Sequence, residues 1–135
     1  MDIFKKLKEL NLPEGKYVVI GSGLLAALGL REANDLDLLV SADLLAGLIK
    51  SGRYIKKDGG NNLSSEDGLI DISSGLKLDK YTTTVLEAIS GAKMINGFPF
   101  QSISETIKFK TALGREKDFK DIKMLENYIK NNGEI

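Results

Sequence analysis

Asp35 and Asp37 stand one residue apart in Asp35-Leu36-Asp37-Leu38-Leu39-Val40, whose apolar content predicts a β-strand over 35–40. Side chains alternate along a strand, so the two carboxylates share one face while Leu36 and Leu38 take the other. Neighbouring carboxylates repel and gain nothing from a core, and a divalent cation would compensate them. The chain has no histidine and no cysteine. That excludes imidazole triads, His-ligated zinc, thiol catalysis, thiolate metal sites and disulfides. Chemistry must run on carboxylates, Lys, Arg, Tyr, Ser or Thr, which favours hard, oxygen-liganded Mg2+ or Mn2+.

The residues upstream supply the setting. Tyr17-Val18-Val19-Ile20 has the length and composition of a strand and stops at Gly21-Ser22-Gly23, where glycine permits a sharp turn. Leu24 to Leu30 is Leu/Ala-rich and predicts a short helix whose free N–H groups point back at the turn. Strand, Gly-Ser turn, helix and Asp-x-Asp strand, in this order, resemble the nucleotidyltransferase (DNA polymerase beta-like) superfamily. Its signature is a Gly-Gly or Gly-Ser turn followed by Asp-x-Asp.

The resemblance covers most of the chain and implies an α/β (α+β) nucleotidyltransferase fold: a small mixed sheet flanked by helices, with a helical C-terminal part. It implies one domain over 1–135, with a catalytic sheet core over 1–81 and a closing part over 82–135. Asp35 and Asp37 become primary metal ligands, and a third carboxylate is expected from a neighbouring strand as base or second-metal ligand. Asp71 in Leu69-Ile70-Asp71-Ile72-Ser73 is the candidate, because an acid amid an apolar strand is otherwise costly. Its parity agrees, with Ile70 and Ile72 toward the core. Glu66 and Asp67 are the fallbacks beside Gly68. Gly21 and Ser22 would hold phosphates through backbone N–H groups and the Ser22 hydroxyl, helped by the helix N-terminus. Arg31 and Asn34 precede the acidic strand; Arg31 either reaches phosphate or pairs with Glu32 or Asp35.

A second cluster, Lys108, Lys110, Arg115, Lys117 and Asp118, lies in IKFKTALGREKDFKDIKMLENY. It resembles the closing helices of small bacterial nucleotidyltransferase-like proteins. Gly114 breaks one helix and puts Arg115 and Lys117 at the start of the next, where cations oppose the helix dipole. Either an anionic partner such as triphosphate compensates them, or Asp118 and Asp121 do so locally on a solvated face. Lys110 or Lys117 meets phosphate or an acidic catalytic residue in the first case. Phe109, Phe119 and Tyr128 read as core.

With 135 residues the chain is long enough for one cored domain, and its 19 basic and 19 acidic residues cancel, so any anion site must be local. The first residues, MDIFKKLKELNLP, predict an amphipathic helix over 2–10 rather than a signal peptide. No apolar run approaches the ~20 residues of a membrane span, so no membrane partner and a cytoplasmic location are expected. Further helices are predicted over 42–50, 84–92, 106–113 and 116–129, the last burying Phe119, Ile122, Leu125 and Ile129. Strands are predicted over 54–57, 63–66 and 68–73, with a hairpin around Asn96-Gly97; 75–81 is unassigned.

Three readings follow. The first is a metal-dependent nucleotidyltransferase moving a nucleoside monophosphate, most simply AMP from ATP, to a hydroxyl of a protein, RNA or small molecule. The resemblance implies partners: a nucleoside triphosphate and a separate HEPN-type toxin, as in toxin–antitoxin pairs. The apolar face of the first helix offers a homo-oligomer contact. The second reading keeps the fold as an inactive nucleotide- or protein-binding module, and the position of Asp71 relative to Asp35 and Asp37 separates the two. The third is an unrelated α/β interaction protein with both aspartates merely exposed.

Overall fold

The computed structural model describes residues 1–134. Among them a mixed seven-stranded sheet runs β3-β4-β5-β2-β1-β9-β8, and a separate hairpin pairs β6 with β7. The strands are β1 (Tyr17–Ile20), β2 (Leu36–Val40), β3 (Ile55–Lys57), β4 (Asn62–Ser64), β5 (Ile70–Ser73), β6 (Gly75–Leu78), β7 (Tyr81–Thr84), β8 (Lys93–Ile95) and β9 (Phe98–Phe100). The helices are α1 (Ile3–Leu10), α2 (Gly23–Ala27), α3 (Ala42–Ser51), α4 (Val85–Ser90), α5 (Ile103–Leu113) and α6 (Glu116–Asn132).

β1 and β2 form the centre, antiparallel, with Ile20 opposite Asp37. β5 lies parallel to β2 and sets Asp71 opposite Asp37. β9 pairs parallel with β1 through Val19 and Phe100, so the C-terminal third completes the sheet. All four residues of β1 are buried because both sheet faces are covered. Tyr17 and Val19 point to the larger core with Leu24, Leu36, Leu38 and Leu125. Val18 and Ile20 point to a smaller one with Leu39, Tyr81, Val85 and Phe109. Asp37 shares parity with Leu39, which puts its side chain at the edge of this second core instead of in bulk water.

Local signals set the helix ends. Asp2, Ser41, Thr84 and Ser102 accept hydrogen bonds from the first turns of α1, α3, α4 and α5. Ser102 caps α5, which starts at Ile103, three residues ahead of its predicted start. The β2 ladder begins at Leu36, leaving Asp35 just outside it, and α2 ends at Ala27 instead of Leu30. The unassigned segment 75–81 supplies β6 and the start of β7.

The largest correction is α6. Phe119, expected in the buried stripe, is 54% exposed, whereas Asp118 and Asp121 are buried beside Leu125. Successive helix residues are turned by about 100°, so a face centred on Asp118, Asp121 and Leu125 swings Phe119 outward. The expected solvated acidic face is the docking face.

Candidate active site

β1 ends at Gly21, whose φ of +70° turns the chain sharply out of the sheet. A Cβ at Gly21 would stand 3.3 Å from Asp37 Oδ2, so the bare backbone is what lets the turn lie against that carboxylate. Gly21→Ala is expected to lower stability by about 1–2 kcal/mol through the left-handed backbone alone. Chemical denaturation would measure that loss, and weaker metal binding should accompany it because the methyl crowds Asp37.

Asp37 projects from β2, Asp35 from the bend before it, and Asp71 from β5. Their carboxylate oxygens lie within 4.8 Å of one another. Burial, then the charges of Asp35 and Asp71, push the Asp37 carboxyl up to about 7, with Lys110 and Arg115 opposing more weakly. Lys57, itself half exposed, approaches the cluster and donates to Asp71 at 3.5 Å. Three hard oxygen donors crowded to the point of holding a proton near neutrality fit Mg2+ or Mn2+ well.

Beside the acids, Ser22 carries no helix-capping bond, so its hydroxyl is available. Arg31 donates to it from Nη2 at 2.9 Å and Lys110 from Nζ at 3.4 Å. Arg31 also grips Asp121 with two hydrogen bonds of 2.7 Å, and Lys110 donates to the same carboxylate at 2.8 Å. Lys110, Asp118 and Asp121 are almost wholly buried. Arg115 clamps Asp118 from Nε at 2.6 Å and Nη2 at 3.1 Å. Burial pushes the Asp121 carboxyl up, but the Arg31 and Lys110 hydrogen bonds overrule it and hold it below the usual range. Asp118 follows the same balance, with Arg115 as its main partner.

A cavity of about 390 Å³ joins these groups: Asp35, Asp37 and Asp71 line it together with Ser22, Arg31, Arg115 and Lys117, and also with Asp118 and Asp121, the partners of Arg115 and Arg31. The structure therefore brings together Gly21, Ser22, Arg31, Asp35, Asp37, Asp71, Arg115 and Lys117. Lys110 sits behind them, and Lys108 pairs with Glu105 on the outside of α5. Arg31 bonds the Glu32 carbonyl but neither acidic side chain named for it from the sequence. Asp121, which reaches Arg31 across ninety positions, was anticipated only as a local ion-pair partner. Its one sequence signal is that Asp118, Asp121 and Leu125 fall at helical spacing on a common face.

No family profile and no curated protein matches the chain. Solved structures do. TM1012 of Thermotoga maritima, provisionally assigned as a nucleotidyltransferase, superposes with a TM-score of 0.58 at 16% identity, over 93% of this chain and 91% of that one. The protein has a nucleotidyltransferase fold. The antibiotic-resistance factor ANT(2'')-Ia aligns with the same fold in solution, at a TM-score of 0.55 and 21% identity, over 95% of this chain and 80% of that one. Its crystal structure with adenylyl-2''-tobramycin gives 0.55 and 20%, over 95% and 86%. At such identities the likeness speaks to the nucleotidyltransferase fold alone. Among the described residues no helix is long and apolar enough to cross a membrane.

Proposed function

We propose that this chain transfers a nucleoside monophosphate, AMP from ATP in the simplest case, to an acceptor hydroxyl and releases pyrophosphate. The observation that supports the reading is that three clustered carboxylates share one cavity with Ser22 and the cations Arg31, Arg115 and Lys117. Nucleotidyl transfer needs both kinds of group, with metal-binding acids at the reacting phosphorus and cations at the departing phosphates.

Asp35, Asp37 and Asp71 would hold Mg2+ or Mn2+. Such ions, when bound, neutralise the triphosphate and acidify the attacking hydroxyl. Ser22, Arg31, Arg115 and Lys117 would grip the β- and γ-phosphates. Lys110, buried on Asp121, keeps Ser22 and Arg31 in register with them. Asp71 accepts the acceptor's hydroxyl proton, since without histidine a carboxylate is the available base. The acceptor oxygen bonds to the α-phosphorus, the bond to the bridging oxygen breaks, and pyrophosphate leaves. Asp71 lies opposite Asp37 in the β2–β5 register, which supports the catalytic reading over the inactive binding module.

Calorimetry with ATP and Mg2+ tests this. Wild type should bind in a metal-dependent way, and Asp35→Ala and Asp37→Ala should lose that binding. Asp71→Ala should keep much of it while pyrophosphate release falls by roughly 10²–10⁴, the usual worth of a positioned base. Absence of wild-type binding at millimolar nucleotide would overturn the proposal.

A further inference from the structure

The groups around the departing phosphates differ in what the fold leaves them free to bind. A guanidinium has five N–H donors in a fixed fork. In Arg31, Nε and one N–H of Nη2 take the two oxygens of Asp121, each at 2.7 Å. The other N–H of Nη2 takes Ser22 Oγ at 2.9 Å, and Nη1 takes the Glu32 carbonyl at 2.7 Å. A single N–H of Nη1 is left over. Lys110 is also turned inward: its buried ammonium donates to Asp121 at 2.8 Å and to Ser22 at 3.4 Å, and lies 3.7 Å from Asp118. Arg115 is held differently. Asp118 takes its Nε at 2.6 Å and one N–H of Nη2 at 3.1 Å, and neither bond uses Nη1. Its half-exposed side chain lines the cavity, as does Lys117.

Ser22 stands between these groups. A hydroxyl oxygen has two lone pairs. At Ser22 they face Arg31 and Lys110, so the O–H proton must point away from both cations. None of the described residues accepts that proton, and Ser22 borders the cavity. The hydroxyl is thereby set as a donor. Two cations on its oxygen also polarise the O–H, which strengthens a bond from it to an anion.

Building on the nucleotidyl-transfer reading, we propose that Arg31 acts on the departing phosphates through Ser22. It is a positioning residue that fixes the hydroxyl as a donor, while Arg115 and Lys117 meet the phosphates directly.

A double-mutant cycle on Mg·ATP binding, read by calorimetry, separates the indirect contact from a direct one. Ser22→Ala should weaken binding roughly 10–100-fold, the worth of a hydrogen bond to a charged group. Arg31→Lys keeps a cation beside Asp121, but an ammonium cannot reproduce a fork that holds Asp121 and Ser22 together. It should weaken binding by a similar factor, and in the Ser22→Ala background it should weaken it no further. Lys117→Ala should instead multiply its loss with that of Ser22→Ala. The same pattern should appear with Mg2+ and inorganic pyrophosphate, which carries no nucleoside. Melting temperatures check that each variant folds; Arg31→Gln, whose amide can still donate to Asp121, replaces an Arg31→Lys protein that does not. Losses at Ser22 and Arg31 that multiply would overturn the inference, because Arg31 would then reach phosphate itself. So would an Arg31→Lys protein that binds like the wild type, a Lys117→Ala loss that vanishes in Ser22→Ala, or a Ser22→Ala loss seen with ATP and not with pyrophosphate. Failure of the wild type to bind Mg·ATP in the same samples would remove the transfer reading, and this inference with it.

Discussion

Asp121→Ala is expected to destabilise the fold by about 3–5 kcal/mol, because removing one partner strands buried charge. The carboxylate accepts from Arg31 and Lys110, and Lys110 has almost no access to water. Without Asp121, Lys110 keeps the neutral Ser22 hydroxyl at 3.4 Å and, as its remaining anion, Asp118 at 3.7 Å, which Arg115 already holds. For a domain of this size the melting temperature should drop by roughly 10–20 °C. The pH dependence gives an independent check. The Asp121 carboxyl is held below its ordinary value in the folded state, so its contribution is complete above the usual carboxylate range. It is lost as pH falls through the folded value. The gap between wild type and variant should thus be full at pH 7 and close under strong acid. Lys110→Met with Asp121→Leu removes both charges and should recover much of the stability, as buried pairs replaced together often do. It should not recover nucleotide binding, since Ser22 and Arg31 lose their anchor. Recovery of binding would show that the pair serves the fold alone.

How legible these features were in the sequence depended on what kind of pattern carried them. The β1 strand, the Gly21 turn and the Asp35–Asp37 pair could be read because each is local: an apolar run, a glycine required by positive φ, and a two-residue alternation. Asp71 could be read from parity, since Ile70 and Ile72 are both buried. Asp121 could not, because its value depends on Arg31, far away in sequence, and an Asp in a lysine-rich helix looks solvated. The same blindness put Phe119 in the core: a stripe counted only in apolar residues ignores two buried aspartates. The β6–β7 hairpin was missed because GLKLDKYTTT carries weak alternation and borrows its order from packing against Phe109.

Asp37→Asn is expected to do the reverse of Asp121→Ala and stabilise the metal-free protein. Burial, with Asp35 and Asp71 beside it, pushes the folded carboxyl from 3.8 up to about 7. Between those values the folded state binds more protons than the unfolded one, so stability falls as pH rises. Above about 7 the full penalty applies, on the order of 2–4 kcal/mol. Asparagine keeps the shape and carries no charge, so the variant should melt with the wild type near pH 4 and progressively above it toward pH 8. Mg2+ should act in the opposite sense, raising the wild-type melting temperature and leaving the variant nearly unmoved, because the ion stabilises only the state that binds it. A gap that stays flat with pH would mean that neither burial nor the neighbouring carboxylates perturb Asp37. A gap that opens with pH and closes with Mg2+ would mean that the fold tolerates a repulsion which its ligand removes, as expected where stability has been given up for a binding site.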